Sequence, residues 1–148
     1  MSYNTILLIG DLSRNKEKLA ASAITPGDLI EFNNSTGKVQ RHSTLNGNAM
    51  AMFAKENDLE GDDIDTDYAA DELVQYLTPV SGDEVYAILA VSQTIKQGDF
   101  LVSAGNGKLK KFEIAASAEA DYVHRIVAMA MEDKTTTAAV ARIIVQKV

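Results

Sequence analysis

The pattern that most constrains this 148-residue chain is a short motif that occurs twice. Gly27-Asp28 precedes an apolar run and then Gly37-Lys38, and Gly98-Asp99 and Gly107-Lys108 repeat that order about 70 residues later. Glycine adopts the positive φ angles of tight turns, so turn, apolar run and turn together indicate a β-hairpin. The sequence therefore predicts two similar hairpin units. Their structural turns contain Gly27, Asp28, Gly37, Gly98, Asp99 and Gly107.

One further observation bears on this duplication. Ala49–Met52 follows the first hairpin and Ala128–Met131 the second, with the same alternation of alanine and methionine. The alternative is a coincidence of two ordinary hairpins, because Gly-Asp pairs are common in turns. The match in both turns and in the residues after them favours a real duplication.

Short apolar runs bounded by turn residues continue along the chain and predict nine strands. They are Leu29–Phe32, Lys38–Arg41, Ala49–Ala54, Leu73–Thr78, Glu84–Val91, Phe100–Ser103, Lys108–Ile114, Val123–Met131 and Ala139–Val145. Helix remains an alternative within 68–77 and 118–131, where apolar residues recur three and four apart, and 115–120 is a candidate connector. The predicted fold is all-β, a compact sandwich or barrel.

Composition sets the class of protein. The length suits one domain with its own core, and the absence of cysteine predicts a fold that tolerates a reducing compartment. Neither a signal peptide nor a membrane span is predicted, because the apolar run Ile6–Ile9 is too short for either. We expect a soluble protein made in a cytoplasm.

The formal charge of −7 is concentrated in one region. Residues 55–84 contain eleven acidic side chains and one basic one, so the rest of the chain is positive by three. Such an acidic surface repels phosphate, and no basic stripe with interleaved aromatics compensates for it. Nucleic acid is therefore not an expected partner.

The N-terminal segment 1–23 differs from the rest of the chain. Its apolar run is followed by Gly10-Asp11 and by the charged stretch 14–18. We predict an extended arm, 1–23, and a β-rich domain, 24–148. An ordinary first strand and short helix are the alternative, since an apolar run of this length also fits a buried strand. The arm residues expected to contact a partner are Tyr3, Ile6, Leu7, Leu8 and Ile9.

No residue pattern predicts catalysis or a cofactor. His42 and His124 lack a third ligand and are expected at the surface or at strand edges. Asp63, Asp65 and Asp67 match the start of a calcium loop, but Tyr68 stands where glycine is required, so a calcium site in the acidic loop 58–67 is only a weak alternative. No serine lies in a G-x-S-x-G elbow. We predict no catalytic, cofactor or metal residues, and a protein that is not an enzyme.

The turns and strands together resemble one family. Pro26–Glu31, Gly37–Val39, Gly82–Leu89, Gly98–Gly107 and Ala141–Val145 resemble the head decoration, or cement, proteins of tailed bacteriophages, over about residues 20–148. The resemblance implies a β-tulip-like, often trimeric domain on the outer surface of the virion. There it would bind the major capsid protein between capsomers and stabilise the head against the pressure of packaged DNA.

Two other classes of function remain as alternatives. One is a virion surface module, such as a fibre base or a glycan-binding β-domain, although nine aromatic residues without tryptophan make a weak sugar platform. The other is an enzyme of unrecognised type. For the decoration protein we expect a trimer with an alanine-rich strand interface, or a monomer that trimerises on the capsid.

Overall fold

A computed structural model describes residues 3–113 and 125–148, and regular structure in these residues is almost entirely β. The helical structure in this described part of the chain is one 3₁₀ turn, Leu12–Arg14. The strands are β1 (Leu7–Ile9), β2 (Asn15–Leu19), β3 (Ile30–Asn33), β4 (Lys38–Arg41), β5 (Phe53–Ala54), β6 (Leu73–Leu77), β7 (Glu84–Leu89), β8 (Thr94–Ile95), β9 (Phe100–Gly105), β10 (Lys108–Lys111), β11 (Ile126–Ala130), β12 (Lys134–Thr135) and β13 (Ala141–Lys147). The all-β prediction is confirmed.

The C-terminal half forms a closed five-stranded barrel, which we call barrel 2 (residues 84–147). Its strands follow the order β7-β10-β9-β11-β13. The sheet closes because β13 also pairs with β7, antiparallel, from Ala141 opposite Leu89 to Gln146 opposite Glu84. The contact of β10 with β7, through Leu109 and Leu89, is parallel. Closure leaves these strands with partners on both sides.

The N-terminal half repeats that plan in barrel 1 (residues 15–77). Two sheets, β2-β6-β5 and β3-β4, are joined by single bridges at the positions that complete a ring. Leu29 bridges to Phe53, antiparallel, and Ala20 bridges to Val39, parallel. The ring order is therefore β2-β4-β3-β5-β6, which is the order of barrel 2 strand for strand.

Hydrogen bonds confirm that the two hairpin units are equivalent. The Gly27 N–H donates to the Ala54 carbonyl and the Ala54 N–H donates to the Asp28 carbonyl, at 2.8 and 3.0 Å. In barrel 2, Gly98, Ala130 and Asp99 make the same two bonds, both at 2.8 Å. The duplication thus extends from a hairpin to a whole five-stranded barrel.

The predicted alanine and methionine echo is wrong in register. Ala54 occupies the place of Ala130, so Met52 rather than Ala49 corresponds to Ala128. Residues 49–52 also lie outside any strand, because β5 covers only Phe53–Ala54. The similarity of the two letter patterns is therefore a coincidence of composition.

Each barrel has its own apolar interior. In barrel 1 the core is Ala20, Ile24, Ile30, Val39, Met52, Ala54, Tyr68, Val74 and Tyr76. The larger core around barrel 2 also includes Leu29, Phe53 and Leu77, which alternate with interior residues of barrel 1 and therefore point outward from it. These three side chains join the barrels into one body.

The N-terminal segment packs on both barrels. β1 pairs with the beginning of β7, and β2 pairs with β6 over all five of its residues. Because β2 belongs to barrel 1, the part of the predicted arm 1–23 that lies outside the barrels within the described residues is 3–14. The helix alternative for 68–77 is wrong, since β6 occupies Leu73–Leu77. The candidate connector 115–120 lies outside the described residues.

Candidate functional site

Three turns of identical design open three strands. They are Thr25–Asp28, Val80–Asp83 and Lys96–Asp99, with φ of +95°, +96° and +93° at Gly27, Gly82 and Gly98. In each, the aspartate carboxylate accepts the N–H of the residue three positions earlier, at 2.8, 3.0 and 2.9 Å. Glycine is required by the positive φ, and the short acidic side chain closes the turn. Gly27, Asp28, Gly98 and Asp99 therefore take the predicted turn positions.

The tips of the two hairpins also match in conformation, with φ of +70° at Gly37 and +77° at Gly107. Their surroundings differ. Gly37 faces open space, whereas a methyl group on Gly107 would lie 2.8 Å from the Asp28 carboxyl. The tip of the second hairpin therefore rests on the first turn of the first hairpin.

Asp28 is the ionic centre of that contact. Its fully buried carboxylate accepts from Arg41 Nε at 2.6 Å and from Lys108 Nζ at 2.5 Å. Among the described residues, the equivalent Asp99 forms an ion pair with Lys111 only, at 3.1 Å. The hydrogen bond from the Lys96 N–H lowers the pKa of Asp99 most, and the hydrogen bond and charge of Lys111 lower it further. Lys108 belongs to the second hairpin, so Asp28 ties the two hairpins together through charge.

His42 lies beside this joint, directly after β4, and it is buried, so the surface alternative in its prediction is wrong. It is only 3% exposed, with Nδ1 2.7 Å from Ser103 Oγ and Nε2 3.0 Å from the Asn48 carbonyl. A carbonyl accepts only, so Nε2 donates to Asn48, and Nδ1 shares a hydrogen bond with the serine hydroxyl. No local pattern indicates this burial, because the partner Ser103 is 61 residues away along the chain. His124 lies outside the described residues.

The predicted arm residues occupy different environments. Ile6 is completely buried, and its carbonyl accepts the Tyr86 N–H at 2.8 Å. Tyr3 stacks edge-on against Tyr86, with ring centroids 5.4 Å apart. Leu7 and Leu8 are half-buried against the barrel 2 core, and Ile9 is 56% exposed. Ile9 is thus the predicted arm residue with the most exposed surface. The binding role of the five arm residues remains a prediction.

A buried acid holds the arm in place. The Glu56 carboxylate accepts from the Ile6 N–H at 3.0 Å and from Thr5 Oγ1 at 2.7 Å. Lys55, itself 2% exposed, lies 3.7 Å from Glu56 and 2.7 Å from Asp58. Because the charges on Lys55 and Glu56 neutralise each other, these residues can be buried where the arm crosses the acidic loop.

The acidic loop shows turn geometry at the position of the calcium-like motif. Asp63 Oδ1 accepts from the Asp65 N–H and from Thr66 Oγ1, and these bonds lower the pKa of Asp63. Asp65 faces Arg142 of barrel 2 at 3.4 Å. Among residues 3–113 and 125–148, no group of three or more His, Asp or Glu side chains is placed to hold a metal ion.

A shallow groove lies on the outer face of barrel 1, and we call it the β2–β6 groove. It has a volume of about 160 Å³ and is lined by Glu17, Asn57, Leu59, Glu60, Glu72, Leu73 and Gln75. Its floor is fixed by a chain of amides, because Asn15 donates to Gln75 and Gln75 donates to Asn57, at 3.0 and 3.1 Å. Its rim carries exposed Leu59 and Leu73.

Comparisons with known proteins give one informative result. Neither protein-family models nor curated protein sequences give a match. Among solved structures, the chain is similar to the N base of the head fiber gp8.5 of bacteriophage phi29. The TM-score is 0.52 at 14% sequence identity, over 90% of this chain and 96% of that one. The likeness spans both barrels and shows a shared fold. Within the described residues, no helix is long and apolar enough to cross a membrane.

Proposed function

We propose that this chain is a structural protein of a tailed bacteriophage head, bound to the outer surface of the capsid. The observation that carries the proposal is the similarity of fold, over 90% of the chain, to the base of a phage head fibre. The resemblance of its turns and strands to head decoration proteins supports the same location. The partner we propose is the major capsid protein.

The form of the molecule supports a binding role without chemistry. Two closed barrels share one apolar contact, and the buried Asp28 joint adds charge pairing to it. This makes a rigid body whose outer surface is suited to contact with a partner. A net charge of −7 favours a position away from packaged DNA. We therefore propose that the protein is not an enzyme and does not bind nucleic acid.

Two versions of this role predict different particles. A cement protein binds many sites between capsomers and stabilises the shell, and we propose that it does so as a homotrimer, since linked contacts add avidity. A fibre base would instead carry a further fibrous part outward from the head. The structural neighbour, which is the base of a head fibre, favours the second version, and the sequence resemblance favours the first.

One experiment tests the proposal and separates the versions. Purified protein is mixed with heads that lack it, and the particles are imaged by electron cryomicroscopy and heated in a melting assay. Ordered density on the outer surface with a raised melting temperature supports a cement protein. Ordered density without thermal protection supports a fibre base. Absence of any bound density contradicts the proposal, and light scattering of the free protein tests the trimer.

A further inference from the structure

The two barrels can be compared face by face, because their strands are equivalent. Leu19 pairs with Leu73 across β2 and β6, as Ile88 pairs with Arg142 across β7 and β13. Leu19 comes directly before Ala20 and Ile88 directly before Leu89, the residues that make the equivalent parallel bridges. The outer faces of these two strand pairs are therefore the same surface on two copies of one barrel.

In barrel 2 this face receives other parts of the chain. Tyr86 and Ile88 point outward yet are only 7% and 4% exposed. Tyr3 of the arm covers Tyr86, and the turn at Gly27 lies against Ile88. Arg142 donates to the carbonyls of Pro26 and Ile64, which brings the acidic loop onto the same face. The face thus binds three separate chain segments.

In barrel 1 the same face is exposed at Leu19 and Leu73 and buried at Gln75 and Leu77. Leu19 and Leu73 are 43% and 49% exposed, and Leu59 beside them is 76% exposed. No side chain of the described residues covers this pair as Tyr3 covers Tyr86. Exposed apolar side chains that adjoin one another and are rimmed by polar residues are typical of a protein interaction site.

Charge determines what kind of segment fits. The β2–β6 groove is lined by three acidic residues, Glu17, Glu60 and Glu72, and by no basic residue. Barrel 1 as a whole, residues 15–77, has twelve acidic and five basic side chains. A segment with lysine or arginine between apolar residues would pair with the rim and cover the leucines. A second copy of this acidic chain is a poorer complement.

We propose that the β2–β6 groove docks a basic, apolar segment of the capsid shell protein. The inference rests on the proposed function and adds the surface through which the chain binds. Leu19, Leu59 and Leu73 provide the apolar contact, and Glu17 and Glu60 select the positive charge. Glu72 also accepts the Ala69 N–H at 2.9 Å, so it shapes the turn before β6.

The test measures binding to heads that lack the protein. The groove variant is the double substitution Glu17→Lys and Glu60→Lys, which reverses two exposed charges. The control is the double substitution Asp67→Lys and Glu113→Lys, which makes the same charge change outside the groove. We expect the groove variant to bind at least about tenfold more weakly and the control within about twofold of wild type. Wild-type binding should also weaken as salt rises, and binding of the groove variant should depend less on salt.

A second pair of variants tests the apolar half. Leu73→Ser should weaken head binding about tenfold, whereas Leu45→Ser, at a somewhat more exposed leucine elsewhere, should not. Circular dichroism melting of each free variant confirms its folding. If wild type binds heads and the groove variants bind equally well, the groove proposal is overturned and the proposed function still stands. Wild type that does not bind overturns both. A groove variant that alters only self-association, seen by light scattering, identifies a second copy as the occupant and also overturns the proposal.

Discussion

Barrel 1 and barrel 2 share one plan of strands and differ in what their surfaces carry. Both close in the same order, with the same parallel bridge and the same turn before the third strand of the ring. Residues 15–77 nevertheless hold seven more acidic than basic side chains, whereas residues 84–147 hold one more basic than acidic. The two halves therefore share a hydrogen-bonded frame and differ in the charge of their outer surfaces. Differences between the halves are therefore the best guide to function.

The same contrast applies to the contact between the barrels. Leu29 and Phe53 point out of barrel 1 and are at most 1% exposed, because barrel 2 covers them. Their equivalents in barrel 2 are Phe100, which is 44% exposed, and Met129, which is half-buried. One copy of this surface is an internal interface and the other faces outward. Paired substitutions at equivalent positions therefore separate the stability of the joint from that of the barrel.

The largest difference is expected at the paired turn aspartates. Asp28→Asn should lower the free energy of unfolding by about 4 kcal/mol, because Arg41 and Lys108 lose their buried anion. Asp99→Asn should lower it by about 1 kcal/mol or less, since Lys111 is partly solvated. Urea unfolding measures both variants. Equal losses would contradict the role of Asp28 as the joint.

The next difference concerns the apolar contact between the barrels. Leu29→Ala should lower the free energy of unfolding by about 3 kcal/mol, because it leaves a cavity in a closed core. Phe100→Ala at the equivalent position should have an effect of about 1 kcal/mol, since water already reaches that ring. Thermal melting at several protein concentrations tests this pair. A large, concentration-dependent loss for Phe100→Ala would show that another copy covers that residue.

Equivalent glycines provide a smaller test. Gly27→Ala should lower the free energy of unfolding by about 2 kcal/mol, because the methyl group would lie 2.7 Å from Arg142 Nη1 and 2.9 Å from the Tyr86 carbonyl. Gly98→Ala meets open space and should cost only the strain of its positive φ, about 1 kcal/mol. Chemical denaturation of the two variants measures the difference. If Gly98→Ala were the worse variant, the packing of the first turn against barrel 2 would be refuted.

The smallest expected effect is a pH dependence at Asp99. Its pKa is lowered in the folded state, so its stabilisation is present above the unfolded pKa of about 3.9 and is lost as pH falls through the folded value. Wild type and Asp99→Asn should therefore approach equal stability as pH falls from 7 toward 3. Unfolding curves in urea at four pH values test this convergence. A constant difference would mean that the carboxylate charge contributes nothing.

The hairpins could be predicted from the sequence because their signals are local. Each of the nine predicted strands overlaps an observed one, and the turn glycines fixed the two hairpins to within a residue. The strand β2, with the sequence Asn-Lys-Glu-Lys-Leu, was missed because it has no apolar alternation. Its register is set by pairing with β6, about 60 residues away. The full extent of the duplication was hidden for that reason.

The interaction surfaces were harder to predict, for a related reason. The burial of His42 depends on Ser103 and that of Glu56 on the arm, so both arise from contacts between distant parts of the chain. The β2–β6 groove combines β2, β6 and the acidic loop. The sequence predicts the excess of negative charge there, but it does not show that leucines are exposed between the acidic residues. A local pattern cannot show which apolar residues a fold leaves uncovered.

Closure of the two rings has a consequence for crowding. Sheet margins with free amide and carbonyl groups attract one another, which leads to fibres when many molecules lie side by side. Each ring is closed by at least one bridge, and in barrel 2 the strands β9, β11 and β13 pair on both sides, which leaves less main chain for a neighbouring molecule to extend. Such a protein can be packed at very high local density, as on a repeating lattice, without the molecules joining through shared β-sheets.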